Sequence, residues 1–508
     1  MPSLKRNMVA NYVGQATAAV TGIIMLPVFV HYLGTEAFGL VGFFTMLQSW
    51  SLLLDMGMTP TLSRELARFS AGVLTQQRLA KMIRTMEWIF LGLGLICAWT
   101  VSMSANWIAH HWLKARQISQ DEIALCISLM GGMLGLQWLG GIYRAGLVGL
   151  ERMVVLNVAV VTATLGRTIG SWLVLKYLST TPRAFFAFHV VATLVELFAF
   201  RAIFYRRFSM RNAGAWPDFR SLHGSRAMAG GMAFLATLWI VVSQSDKLVL
   251  SWLLDLSSYG SFAVAASLAG GINQLAAPMI QSLQPRFVTL AAQGQTLGLE
   301  DLYKTSTQLM TVGLFAIAGT MACFSGPLLL AWTGNTEIAQ RGAPILSLYA
   351  LGNATASVLS LAFAVQFAFG RLRWQIVGSC VFGLFWVPGG YLAARYAGAV
   401  GTGSIWLACN ALWLVSWLSY IHSRILPGFW RRWLAFDVGV VVLMEGVVLA
   451  TARLVGLPSS GRIQVLAAIA LTTVLVAVLG LMVAPLARRQ GLDLVRRFRL
   501  ALSGQGNS

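Results

Sequence analysis

Apolar residues along this chain gather in long blocks joined by short polar and often basic connections. A bilayer-spanning helix needs ~20 such residues to cross a ~30 Å hydrocarbon core. Fourteen blocks qualify: residues 9–31, 38–59, 86–108, 122–143, 153–175, 184–204, 228–253, 260–281, 306–330, 343–369, 374–394, 402–421, 434–455 and 463–485. None alternates polar and apolar residues as a membrane-barrel strand does, so the pattern predicts helices. The division is softest in 228–281, where Gly230, Gly231, Gly270 and Gly271 interrupt both blocks. Lys5 and Arg6 precede the first block, but Asn11, Gln15 and Thr17 interrupt it and it runs on for a full span. It therefore reads as a span rather than a cleaved signal peptide.

Composition sharpens this into a fold class. Of 508 residues, 57% are hydrophobic and only 11% charged, against about a quarter charged in soluble domains. So few charges cannot cover a globular surface, and the chain is expected to be an all-α polytopic membrane protein with about 14 transmembrane helices. Lys and Arg number 37 against 17 Asp and Glu. That excess sits in short clusters between the apolar blocks, as topology anchors do, and does not point to nucleic acid. About 26 of these cations fall in loops on the side of the N-terminus, about 8 on the other side and about 3 at membrane depth. The asymmetry places both termini in the cytoplasm.

Candidate chemistry narrows the classes further. Cys97, Cys126, Cys323, Cys380 and Cys409 all lie in apolar blocks without C-x-x-C spacing and read as small buried residues. No phosphate-binding G-x-x-x-x-G-K-[ST] loop, H-E-x-x-H or D-x-D occurs. No connection exceeds about 25 residues, which leaves no room for a soluble catalytic domain. The expectation is a carrier, not an enzyme, driven by gradients or by its substrate's own free energy. A shift of about 221 residues aligns Phe38-Gly39 with Tyr259-Gly260, each after a short polar turn. An Arg-bearing connection follows each, at Arg64-Glu65-Leu66-Ala67-Arg68 and Gln284-Pro285-Arg286. Such a duplication relates two halves of equal orientation by an axis along the membrane normal, with the substrate path between them.

Several short motifs, in order, carry a family resemblance. Lys5-Arg6-Asn7, Leu33-Gly34-Thr35-Glu36-Ala37-Phe38-Gly39, Leu54-Asp55-Met56-Gly57-Met58 and Arg64-Glu65 form the opening. Gly149-Leu150-Glu151-Arg152, Ser245-Asp246-Lys247-Leu248, Tyr259-Gly260 and Pro285-Arg286 follow. Together they resemble the O-antigen and exopolysaccharide flippases of the multidrug/oligosaccharidyl-lipid/polysaccharide (MOP) superfamily, over roughly the first 420 residues. The resemblance implies two six-helix lobes related by pseudo-twofold symmetry, an N-lobe at 1–215 and a C-lobe at 216–425. Accessory helices at 426–487 and a cytoplasmic tail at 488–508 would complete the chain. It implies a multi-pass protein of a bacterial inner membrane that moves undecaprenyl-pyrophosphate-linked oligosaccharide by alternating access, among membrane lipids. A polysaccharide polymerase and export machinery would be its protein partners.

A pyrophosphate crosses hydrocarbon only inside a wet cavity that offers cations. Arg167, mid-span in Gly166-Arg167-Thr168-Ile169-Gly170, is the first candidate, because a guanidinium fork can hold two phosphate oxygens. The G-x-x-x-G spacing there favours close helix approach. The competing reading of Arg167 is a structural salt bridge to Glu196. Lys247 is a second candidate for the pyrophosphate, and Arg64 and Arg144, at cytoplasmic span ends, are candidates for first capture or mere anchors. Asp246, Glu196 and Asp55 are candidate coupling acids for H⁺ or Na⁺, or neutralised partners of nearby Arg residues. Glu445, another deep acid, falls in an accessory helix. No metal or organic cofactor is implied. Trp50, Trp138, Trp172 and Trp239 could stack on sugars or pack between helices, and Asn353 could line a cavity or bond between helices. Two other functions compete: a cation or drug antiporter, whose pocket should be acidic, and a polysaccharide polymerase, which would need a long external loop.

Overall fold

The computed structural model describes residues 4–55, 57–70, 75–208, 226–370, 372–457 and 461–489. The predicted connection 206–227 lies mostly outside the described residues, as does the tail from residue 490 on. Regular structure among the described residues is helical apart from one bridge between Lys114 and Asp255. In chain order the helices are α1 (Leu4–Ser51), α2 (Met58–Ser70), α3 (Gln76–Trp107), α4 (Gln120–Gly149), α5 (Met153–Tyr177), α6 (Pro182–Arg207), α7 (Arg226–Leu253) and α8 (Leu256–Ala292). They continue as α9 (Thr296–Cys323), α10 (Ser325–Thr333), α11 (Thr336–Ala368), α12 (Leu372–Val415), α13 (Trp417–Ile425), α14 (Phe429–Arg432), α15 (Val440–Val455) and α16 (Arg462–Val483).

Eleven described stretches are long and apolar enough to cross a membrane. Two of them hold a pair of spans each. α1 breaks at Gly34 (φ 81°, ψ 169°) and α12 at Ala397–Gly398. A residue with a Cβ rarely adopts the Gly34 conformation, so this glycine sets the joint between the first two blocks. With α7, which is also long and apolar, the helices account for about fourteen spans.

Helices run further than hydropathy shows. The Arg64–Arg68 connection is the amphipathic helix α2, with Leu62 and Leu66 buried. The Gln284-Pro285-Arg286 connection is not a loop either, since α8 continues through it to Ala292. Hydropathy registers only the part of a helix that lies in hydrocarbon, while backbone hydrogen bonding carries the helix past the interface.

The chain forms two compact units that meet in sequence between Ala263 and Val264. In the first, α2, α3, α4 and α6 pack on Leu66, Met82, Ile83, Trp138, Ile142 and Phe204. Near its α7–α8 turn, the second half of α1 crosses the start of α8 with backbones almost touching. A Cβ on Gly39 would strike the Leu256 carbonyl oxygen, and a Cβ on Gly260 would strike that of Thr35. A shift of 221 residues turns Thr35 into Leu256 and Gly39 into Gly260, so each contact maps onto the other. Gly42 and Ala263 are related by the same shift, and a Cβ on Gly42 would lie 2.6 Å from that of Ala263. Such exchange is the mark of a twofold contact, and it supports the duplication read from sequence.

Glu36 fastens this region. It is 5% exposed and accepts backbone N–H bonds from Arg116 (2.7 Å), Gln117 (3.0 Å) and Ile118 (3.4 Å). The Leu256 N–H donates to the Lys114 carbonyl at 2.9 Å, and Trp112 Nε1 to Ser251 Oγ at 3.0 Å. Glu36→Ala removes the shared acceptor of the partly buried Arg116, Gln117 and Ile118 N–H groups. A hydrogen bond to a charged group contributes about 1.5–3 kcal/mol, less where water can replace the acceptor, and the loss is expected as a lower melting temperature of the purified protein.

In the second unit the predicted accessory helices are tightly joined to the rest. Val312 and Ala316 of α9 pack against Val441, Leu449 and Val476. Gln308 bonds Asp437 at 2.6 Å through Nε2, and its Oε1 accepts from the N–H groups of Leu486 and Ala487 at 3.0 and 3.2 Å. Asn353 is a packing residue. It donates to the Ala269 carbonyl and accepts from Trp406 Nε1, each at 3.0 Å, tying together α8, α11 and α12.

Candidate functional site

Within the first unit, α4, α5 and α6 bring three charged side chains together. Arg144 Nη1 lies 3.7 Å from Glu196 Oε1, and Arg167 Nη1 lies 3.5 Å from Glu196 Oε2. One carboxylate thus holds two guanidinium groups, one per oxygen. The side chains of Arg144 and Arg167 are 37% and 30% exposed, and that of Glu196 is 12% exposed. Helical rise puts Arg144 about 8 Å from the end of α4, Arg167 about 21 Å in from the start of α5, and Glu196 about 16 Å from the end of α6.

The positioning is local at each helix. Gly170 lets the Phe188 ring of α6 lie against α5, which is the close approach predicted from Gly166-x-x-x-Gly170. Gly166 itself faces open space. Arg144 is held on one side by the Phe200 ring, 5.4 Å from its Cζ. Ser171, one turn after Arg167, donates to the Arg167 carbonyl at 2.7 Å and meets His189 Nε2 at 2.8 Å.

Sequence reading missed Ser171, His189 and Phe200 as neighbours of the cations. Their signal was spacing: Ser171 is four residues from Arg167, Phe200 four from Glu196 and His189 seven before it. Each therefore shares a helical face with a charged residue.

Electrostatically the cluster carries one net positive charge. Each guanidinium has five N–H donors, and 3.5–3.7 Å is longer than the 2.7–2.9 Å of a tight charge-assisted bond. Arg144 Nε has no hydrogen-bond partner among the described residues. The arrangement can therefore accept further anionic oxygens.

The other sequence candidates fall elsewhere. Arg64 is exposed on α2, and Lys247 donates to Gln244 Oε1 on its own helix at 2.8 Å. Asp246 is 7% exposed, so it and Lys247 present different faces of α7. Asp55 accepts from the Thr59 backbone N–H at 3.3 Å and from the Thr59 hydroxyl, which makes it a cap for the first turn of α2. Trp138 is buried in the core of the first unit, while Trp239 is 67% exposed. Glu87 is compensated by Tyr143 (2.7 Å), Tyr205 (2.6 Å) and Arg84 (3.0 Å). Among the described residues no group of three His, Cys, Asp or Glu could hold a metal ion.

Many helices long and apolar enough to cross a bilayer, with a charge cluster carried on three of them, define a multi-pass membrane protein. Residues 4–291 match the family described as polysaccharide biosynthesis protein, and the chain belongs to that family. No curated protein sequence matches it significantly. Among solved structures it is similar to the lipid II flippase MurJ in an inward closed conformation, with a TM-score of 0.67 and 11% identity over 96% of this chain and 99% of that one. It is also similar to an inward-facing multidrug resistance MATE family transporter of the MOP superfamily, with a TM-score of 0.66 and 13% identity over 81% and 94%. A MOP superfamily transporter from Pyrococcus furiosus, described by the reverse polarity of its binding pocket, gives a TM-score of 0.54 and 14% identity over 83% and 96%. These likenesses show the two-lobe MOP fold.

Proposed function

We propose that the chain is a flippase that moves undecaprenyl-pyrophosphate-linked oligosaccharide from the cytoplasmic to the periplasmic leaflet of a bacterial inner membrane, by alternating access, for surface polysaccharide biosynthesis. The observation that carries this reading is the sharing of Glu196 by Arg144 and Arg167 at membrane depth. Two forks with unused donors and one surplus positive charge suit a pyrophosphate better than an organic cation. Arg144 lies nearer the helix end that the loop charges assign to the cytoplasm, and Arg167 lies deeper, so the pair offers two successive holds for an entering headgroup.

Glu196 keeps the site from standing as two bare cations. Phosphate oxygens displace its two oxygens, and the anion leaves when the carboxylate returns. While displaced, Glu196 is free to take H⁺ or Na⁺, which is a route to coupling; Asp246 is the second acid to test in that role. Arg64 and Lys247 would act before or after this pair, and Asp55 serves α2. A polymerase and export machinery would consume the product. The drug-antiporter reading is disfavoured by the positive sign of the cluster.

The test is the accessibility of the glycan headgroup in vesicles carrying the purified chain. Exposure of the lipid-linked glycan on the far leaflet, faster when an imposed potential favours anion exit, is the expected result; the potential contributes about 2.3 kcal/mol per charge per 100 mV. Exchange of an organic cation for protons without glycan exposure would overturn the proposal.

A further inference from the structure

The second unit carries one short pattern twice along α8: Gln274-Leu275-Ala276-Ala277-Pro278 and Gln281-Ser282-Leu283-Gln284-Pro285. Proline has no N–H to give to the carbonyl four residues back. In each copy that carbonyl belongs to the leading glutamine, which thus offers a carboxamide beside a backbone oxygen deprived of its helical donor. Seven residues set the two glutamines about 10.5 Å apart along the axis and within about 20° of one another around it. Both are exposed. No Asp, Glu, Lys, Arg or His occurs from 256 to 285.

The face that carries them is neither packed nor suited to lipid. Asn353 and Ser357 of α11 hold α8 from another side, at the Ala269 carbonyl and Asn273 Oδ1, each at 3.0 Å. A Cβ on Gly270 or Gly271, one turn before Gln274, meets nothing within 4 Å. In its 37 residues α8 exposes two large apolar side chains, Leu275 and Val288. The 22 residues of α16 expose six, among them Leu471, Val474 and Met482. Amides turned toward acyl chains lose water and gain no partner, so the glutamine face of α8 borders water.

We propose that Gln274 and Gln281 are two stations that bind uncharged sugar rings of the translocated glycan, one ring each, through the sugar hydroxyls. The inference rests on the flippase reading above and deepens it by assigning the class of sugar. A carboxamide donates and accepts, as a hydroxyl does, and the carbonyl adds a second acceptor. Bonds between neutral groups are individually weak, so a ring held at one station can pass to the next. A uronate ring would bring its charge to a wall that offers no counter-charge. Gln281 lies nearer the end of α8 that the loop charges assign to the cytoplasm, and Gln274 lies deeper, so the stations follow the direction of export.

The test titrates the purified full-length chain, in phosphatidylcholine nanodiscs, with a synthetic polyprenyl pyrophosphate and with the same lipid bearing either an oligoglucose or an oligoglucuronate. The oligoglucose lipid is expected to bind at least tenfold more tightly than the bare lipid, and the oligoglucuronate lipid no more tightly than the bare one. Gln274→Leu and Gln281→Leu should each weaken binding of the oligoglucose lipid about three- to tenfold, which narrows its ratio to the bare lipid. Pro278→Ala returns an N–H to the Gln274 carbonyl and should narrow the same ratio without lowering the melting temperature. That variant keeps the test open should a leucine variant fail to fold. Equal binding of the bare and oligoglucose lipids, or a ratio that none of the variants alters, overturns the proposal and leaves the flippase reading standing. An equal gain from oligoglucuronate overturns the assignment to uncharged sugars. Conversion of an oligomer to a monomer by the leucine variants would give the face to a second copy of the chain and overturn the proposal as well. Binding of none of the pyrophosphate lipids would overturn the flippase reading and this inference with it.

Discussion

Arg167→Ala is expected to slow exposure of the lipid-linked glycan in reconstituted vesicles by about ten- to a hundredfold. A hydrogen bond to a charged group contributes about 1.5–3 kcal/mol, and about 1.4 kcal/mol is a factor of ten. Arg167→Lys restores charge but not the planar fork, so its rate should fall between the two. The same residue pairs with Glu196 at 3.5 Å, and a purely structural role would also make it sensitive to substitution. Glu196→Gln separates the roles. If the cluster only ties α5 to α6, Glu196→Gln and Arg167→Ala lower melting temperature and transport alike. If it receives an anion, Glu196→Gln leaves two uncancelled guanidinium groups and binds pyrophosphate-bearing lipid at least as tightly as the wild type. Release is then expected to slow. Equal loss of binding in both variants would remove the cluster from the transport path.

The second large effect is expected at the crossing of α1 and α8. Gly260→Val places a branched side chain where the Thr35 carbonyl already lies, and overpacking of this kind costs about 1–3 kcal/mol. Melting of the purified protein should shift downward accordingly, and glycan export in a cell dependent on this chain should fail. Gly39→Val meets the Leu256 carbonyl in the exchanged contact and should behave the same way. Gly270→Ala is the control. It lies on the same helix, a Cβ there meets nothing within 4 Å, and a helical alanine is favoured over glycine by about 0.5–1 kcal/mol. A destabilised Gly270→Ala together with a stable Gly260→Val would contradict the packing described for this crossing.

Much of this architecture could be read from residue order. The length of each apolar block fixed the spans, because transfer of a helix into lipid depends on its own side chains and little else. The polar turn Thr35-Glu36 between the first two blocks and the repeat linking Gly39 with Gly260 were also visible, since both are local patterns, whereas the break itself falls one residue earlier, at Gly34. The candidate site was legible only as a set of residues. Arg167 and Glu196 stood out because charge is rare at such depth, and their pairing was one of two readings. Arg144 gave no sign that it shares the same carboxylate, as it lies 52 residues from Glu196 in sequence.

Asp55 and Glu445 show the same limit in opposite directions. Both are acids at the end of, or within, an apolar block. Thr59 satisfies one of them at a helix start, while the other is buried against Gly480 of α16 with no hydrogen-bond partner for either oxygen among the described residues. Sequence by itself determined about how many spans this protein has, that they lie in a membrane, and which rare charges they carry into it. Tertiary structure alone decided which of those charges meet. Partition into lipid is summed along one helix, but an ion pair depends on how two helices are rotated and where they cross, and no single segment encodes either.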